Sequence, residues 1–113
     1  QPVAHIAEEM ARTGWAFMDK VTGDGFGHVI HNWAAVGRPL IGHARYYEGQ
    51  RAAYFWRDGE TCIDLDLHSP DETAEIMRTM TPECHAEMCR TIRATLDASV
   101  DWEADARAVA ALL

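Results

Sequence analysis

Apolar residues recur along this chain with two different periods, and the switches between them mark the elements. Over residues 2–13, Val3, Ile6, Ala7 and Met10 fall at helical spacing, and Gly14 stands where a helix-closing glycine belongs. Trp15-Ala16-Phe17-Met18 is a short apolar run, expected as a buried strand, and it leads into the turn-rich Thr22-Gly23-Asp24-Gly25. From Phe26 to Val36 the helical spacing returns, with Val29, Ile30, Trp33 and Ala34 on one side and Gly37 as the stop. Pro39-Leu40-Ile41 reads as a second short strand ended by Gly42. Residues 46–56 are aromatic with Gly49 inside, and fit a short helix and a loop. Thr61 to Asp66 alternates, Cys62 and Asp64 against Ile63 and Leu65. That alternation predicts a third strand near a sheet edge, with its carboxylates facing water.

The second half is helical. Ser69-Pro70-Asp71-Glu72 combines a serine cap, proline at the first helical position and glutamate three residues after the cap. Thr81-Pro82-Glu83 starts a second helix. A third starts near Asp101, with Trp102, Ala106, Val109 and Leu113 as one apolar stripe. Met77, Met80 and Met88 are expected in the core. Strands alternating with helices predict an α/β fold, a single domain over 1–113. It has about three parallel strands, right-handed crossovers, flanking helices and a helical C-terminal tail. Parallel sheets are normally covered on both faces. The first strand should pair only with the one around Pro39–Ile41, leaving an unpaired apolar edge. Self-association is expected from it, a twofold dimer being the simplest form.

Composition narrows the function classes. A 48% hydrophobic content in 113 residues supports a small core. No apolar run reaches the roughly 18–20 residues of a membrane helix, so no membrane span is expected. The first residues do not resemble a basic-then-apolar leader. Cys62, Cys84 and Cys89 are an odd set without paired spacing, which favours a reducing, cytoplasmic compartment over a disulfide framework. A net charge of −8 argues against nucleic acid as a partner. The charge is uneven: residues 1–60 carry six Lys/Arg against seven Asp/Glu, and residues 61–113 carry four against eleven. An anionic ligand therefore belongs on the first half, among Arg38, Arg45, Arg51 and Arg57; the competing reading is a solvated arginine surface.

Gly23-Asp24-Gly25-Phe26-Gly27-His28 joins the first predicted strand to a helix. Glycines allow close backbone approach and positive φ. The amides and dipole of a following helix start favour a phosphate there. In open α/β sheets, ligands bind at the carboxyl ends of strands.

Residues 24–41 as a whole, Asp-Gly-Phe-Gly-His-Val-Ile-His-Asn-Trp-Ala-Ala-Val-Gly-Arg-Pro-Leu-Ile, resemble the donor-site motif of glycosyltransferases with two Rossmann-like lobes, the GT-B type. That motif runs Glu-Gly-Phe-Gly, a second Glu eight positions after the first, then small residues and Gly-x-Pro. Asp24 stands at the first Glu, Asn32 at the second, Phe26-Gly27 in the loop, and Gly37-x-Pro39 in the tail. Gly59 to Asp66 and the helices from Ser69 onward also fit the family pattern. The resemblance implies the second half of a Rossmann-like donor lobe, with a nucleotide-diphosphate sugar as donor substrate and no metal or other cofactor. Asp24, Gly25, Phe26, Gly27, His28 and Asn32 would face that donor. Asp24 would orient sugar hydroxyls with a shorter reach than Glu. Asn32 offers one acceptor oxygen where the family's Glu offers two, which changes the grip on the ribose. The acceptor lobe and the general base of such an enzyme precede this region, so the chain alone is expected to transfer no sugar. The alternative is a free-standing small α/β protein that self-associates or binds a partner without catalysis.

Other side chains carry weaker chemistry. His28 and His31, three apart on one helix, could share a metal, and His28 could instead donate to phosphate or sugar. Cys84, His85 and Cys89 are spaced around a helix and read as structural. Tyr46, Tyr47, Tyr54, Phe55 and Trp56 fit either a small core under a loop or a stacking platform. Asp64 and Asp66 offer a carboxylate pair for acid–base work, but a half-exposed strand with charges facing water explains them without chemistry.

Overall fold

A computed structural model of the chain describes residues 14–18, 28–100 and 102–112. The predicted helix over 2–13 and the glycine-rich segment at 23–27 lie outside the described residues.

Three short strands form one parallel sheet: β1 (Ala16–Met18), β2 (Leu40–Gly42) and β3 (Cys62–Asp64), in the order β1-β2-β3. The register pairs Phe17 with Ile41 and Ile41 with Ile63. β2 is central, and β3 is at an edge as its sequence predicted. Helix α1 (His28–Ala35) crosses between β1 and β2; α2 (Pro70–Thr79), α3 (Pro82–Ser99) and α4 (Trp102–Ala111) follow β3. Between β2 and β3 the aromatic segment folds as two 3-10 turns, Ala44–Tyr47 and Arg51–Phe55. The fold is thus α/β, a three-stranded parallel sheet with flanking helices and a helical C-terminal tail.

Helix ends follow from local chemistry. Gly37 adopts φ +71, and its N–H donates to Ala34 while that of Arg38 donates to Trp33, both at 3.0 Å. This paired closure satisfies the last carbonyls of α1 and needs a left-handed residue, which glycine supplies. The Arg93 guanidinium adds a bond to the Ala35 carbonyl at 2.8 Å, tying α3 to the same end. The Ser69 and Thr81 hydroxyls accept from the amides of Glu72 and Cys84, each at 3.1 Å, with proline opening both helices.

One sheet face carries Ala16, Met18, Leu40 and Cys62 into the main core, against Ile30 and Ala34 of α1 and Ile92 and Leu96 of α3. Tyr47 and Phe55 fill the same core from the 3-10 turns, and Tyr47 stacks on Trp56 with ring centroids 5.0 Å apart. The aromatic segment therefore packs beneath its own loop. The opposite face presents Phe17, Ile41 and Ile63; Ile41 and Ile63 are buried, whereas Phe17 is 67% exposed.

The tail departs from expectation. In α4, Ala106 is exposed and Val109 is 60% exposed, so these two stripe positions do not pack into the core. Met88 is buried, while Met77 and Met80 are half-buried at the rim. Among the described residues, no helix is long and apolar enough to cross a membrane.

Candidate functional site

The carboxyl ends of β2 and β3 hold a polar network. The parallel ladder continues one step past the strands, the Leu65 amide donating to the Gly42 carbonyl at 2.8 Å. Beyond that bond His43 leaves β2 and Asp66 leaves β3, side by side.

Asp64 ends β3 and is 9% exposed. One of its carboxylate oxygens accepts from the Asp66 amide at 2.9 Å and the Ala44 amide at 3.3 Å. Asp66 accepts from His43 Nδ1 at 2.7 Å and from the Arg45 amide at 3.0 Å, and the Arg45 guanidinium lies 3.3 Å away. Burial alone would raise the Asp66 pKa; the hydrogen bonds from His43 and the Arg45 amide outweigh it and hold the carboxyl below its usual range. A carboxylate only accepts, so the shared proton sits on His43 Nδ1 and leaves Nε2 directed away from Asp66. Tyr46 completes the cluster, with its ring 5.2 Å from the His43 ring and 5.0 Å from the Arg45 guanidinium.

The expectation that Asp64 faces water is thereby corrected. The strand alternates, but both of its faces are covered and all three residues are buried. The carboxylate is stabilised by amide donors and fixes the chain leaving β2. Neither Asp64 nor Asp66 is arranged as an acid–base pair; both are committed to N–H groups.

The sequence-predicted donor residues divide. Asp24, Gly25, Phe26 and Gly27 lie outside the described residues. His28 is the first residue of α1, and Asn32, one turn later, is exposed. His31 turns the other way: it is buried, and its Nε2 lies 2.5 Å from the Tyr54 hydroxyl.

The four arginines do not form one cluster. Arg38 precedes β2 and donates to the Val36 and Gly37 carbonyls, whereas Arg45 follows β2 at the opposite end of the strand. Arg57 donates to Thr95 of α3 at 2.7 Å. Only Arg45 joins the carboxyl-edge network just described.

Cavities lie elsewhere on the molecule, among them one of about 320 Å³ between Gly59 and Met88. Another of about 260 Å³, lined by Gly14, Trp15, Met77, Met80 and His85, sits where the chain enters β1. His85 there donates to the Gly14 carbonyl at 2.7 Å, and its ring lies 3.8 Å from Cys89 Sγ, which gives both residues a structural task. Among the described residues, no group of three or more His, Cys, Asp or Glu is placed to hold a metal. A further cavity, about 210 Å³, is an apolar groove between Phe17, Ile41, Leu65 and Met77.

His43 carried no signal in the sequence, and Asp66 carried one only as a carboxylate near Asp64, not as a partner of His43. They are 23 residues apart and meet only because two parallel strands end level. Knowing the strand pairing would have exposed them, since each follows a strand's last residue by one or two positions. Compared with protein-family models, curated proteins and solved structures, the chain finds no match.

Proposed function

We propose that the chain binds a nucleotide-diphosphate sugar, as the second half of the donor lobe of a GT-B type glycosyltransferase. One observation supports this most. α1 begins at His28, the residue after Gly27, and follows β1 in a parallel sheet. The Gly-Phe-Gly motif thus runs directly into a helix start, on the strand-to-helix connection where phosphates bind in such folds. On this reading the amides of residues 25–28 take the diphosphate, Asp24 orients the sugar, and Asn32 meets the ribose from its exposed position one turn along α1. Stabilising the diphosphate as it departs is the catalytic contribution this half would make.

Backbone amide NMR with UDP- and GDP-sugars tests the reading. Shifts concentrated in residues 23–32, and lost in Gly27→Val, are expected. No response at millimolar ligand would end it.

A second reading, self-association or partner binding without catalysis, draws on the exposure of Phe17 on an edge strand. It predicts concentration-dependent mass with no response to nucleotide sugars.

A further inference from the structure

We infer that His43 and Arg45 form an anion site at the carboxyl end of β2, and that its ligand is the diphosphate of the proposed donor. The inference deepens the donor-site reading and rests on it. The direction of each bond in the cluster carries the case. The buried Asp64 carboxylate takes the amides of Ala44 and Asp66; the carboxylate of Asp66, an exposed residue, takes the Arg45 amide and the Nδ1–H of His43 and pairs with the Arg45 guanidinium at 3.3 Å. The 3-10 turn that starts at Ala44 is therefore already capped, and its amides are spent. What the cluster turns outward is nitrogen: His43 Nε2, with no hydrogen-bond partner among the described residues, and a guanidinium whose side chain is 57% exposed. Tyr46 flanks both and limits where they can move.

Fixing Nδ1–H on Asp66 decides how the imidazole can act. In its neutral form Nε2 carries no proton and repels an anion's lone pairs; protonated, it donates and adds a charge beside that of Arg45. The charged and titratable groups facing His43 are Asp64 and Asp66 from the β3 side, and Arg45 and Tyr46 on its own segment. Asp64 is matched by amides and Asp66 by His43 and Arg45 themselves, so a bound phosphate competes with Asp66 for those two side chains. β1, which leads to the glycine motif, pairs with β2 in register, Met18 opposite Gly42. The strand end before His43 and the strand end before that motif are therefore neighbours, about 5 Å apart across the ladder.

The test is NMR titration of the full 113-residue chain with inorganic pyrophosphate, following the His43 imidazole, the Arg45 Nε–H and the amides of 24–32. We expect both side chains to respond. His43→Gln/Arg45→Gln should bind roughly tenfold or more weakly. Both positions are accessible enough for glutamine, and an unchanged amide spectrum elsewhere confirms the fold. Asp66→Asn, a positioning variant, should alter the His43 ring-nitrogen shifts in the unliganded protein and weaken binding less than the double variant. Unmoved His43 and Arg45 signals, or a double variant that binds as the parent does, would overturn the inference. If UDP-glucose shifts 24–32 while His43 and Arg45 stay still, this inference falls and the donor-site reading stands. If pyrophosphate engages His43 and Arg45 while nucleotide sugars leave 24–32 unmoved, the anion site is supported and the donor-site reading falls.

Discussion

Gly42 lies so close under the Trp56 indole that a Cβ added to it would stand 2.9 Å from the ring and 2.7 Å from the Met18 carbonyl oxygen. The position is the last of the central strand, and the indole stacks in turn on Tyr47, so neither neighbour can retreat cheaply. Gly42→Ala should destabilise the chain by roughly 1–3 kcal/mol through overpacking. Gly49 is the control: its φ of +74 is strained for alanine, but nothing lies within 4 Å, so the penalty there is about 1 kcal/mol of backbone strain. Urea midpoints of the two variants, at equal m-value, separate crowding from strain.

The His31–Tyr54 contact ties α1 to the second 3-10 turn in a largely apolar setting, with the Phe55 ring edge-on to the imidazole at 5.0 Å. Tyr54→Phe removes the hydroxyl and leaves the volume. It should cost about 1–3 kcal/mol, because a buried imidazole nitrogen loses its hydrogen-bond partner. Stability equal to the parent in chemical denaturation would show that the contact contributes nothing.

The helix stops at Gly37 and the starts at Ser69 and Thr81 were legible because each is settled within four or five residues. A cap accepts from an amide three positions away, and a left-handed glycine closes the turn before it. Strand identity was legible too, down to β3 lying at an edge. What the residues did not disclose were relationships across the sheet. Asp64 alternates with its neighbours in the sequence and in β3, yet both sheet faces are covered there, and two amides hold its carboxylate inside. The stripe of α4 has a helix's period, but periodicity says nothing about whether another element is there to meet Val109. The aromatic segment resisted assignment because 3-10 turns eclipse their side chains and follow neither a 3.6 nor a 2 period.

The three cysteines should react in a fixed order. Burial, with the negative charges of Asp64 and Asp58 nearby, pushes the Cys62 thiol up to about 12, and burial also raises Cys89. Cys84 is exposed on the first turn of α3. Since the thiolate is the reacting form, a chromogenic disulfide reagent in native buffer should titrate Cys84 first. Cys62 should appear only with denaturant, and its modification at the rate of Cys84 would contradict the packing described for β3.

Stability should fall at both ends of the pH scale for identifiable reasons. The hydrogen bond to Asp58 raises His68, with Glu72 adding to it and burial opposing. A raised folded-state pKa means the contribution is complete below the ordinary histidine value and is lost as pH rises through the higher one. Asp66, held low by His43 and Arg45, contributes above the ordinary carboxylate range and loses that contribution as pH drops through its depressed value. The difference between parent and His68→Gln should therefore close on the alkaline side, and that between parent and Asp66→Asn on the acidic side. Urea midpoints across a pH series read both.

Phe17 offers two unsatisfied features at one position. The Ala16 amide donates to the Pro39 carbonyl at 2.9 Å, so in a parallel ladder Ala16 and Met18 face β2 while Phe17 turns its N–H and C=O to the outer edge. Among the described residues nothing pairs with that edge, and the Phe17 ring, 67% exposed, borders the apolar groove with Ile41, Leu65 and Met77. An edge strand with an exposed aromatic ring invites pairing with another chain, and a twofold axis beside β1 would satisfy both edges at once in antiparallel register. Sedimentation equilibrium at micromolar concentration should then show more than a single 12.6 kDa species. Phe17→Glu should return the chain to that mass without unfolding it, because the side chain leaves the main core untouched. A parent that is monomeric throughout would mean that the β1 edge is covered from within the chain, and Phe17→Glu should then lower the melting temperature instead of the mass.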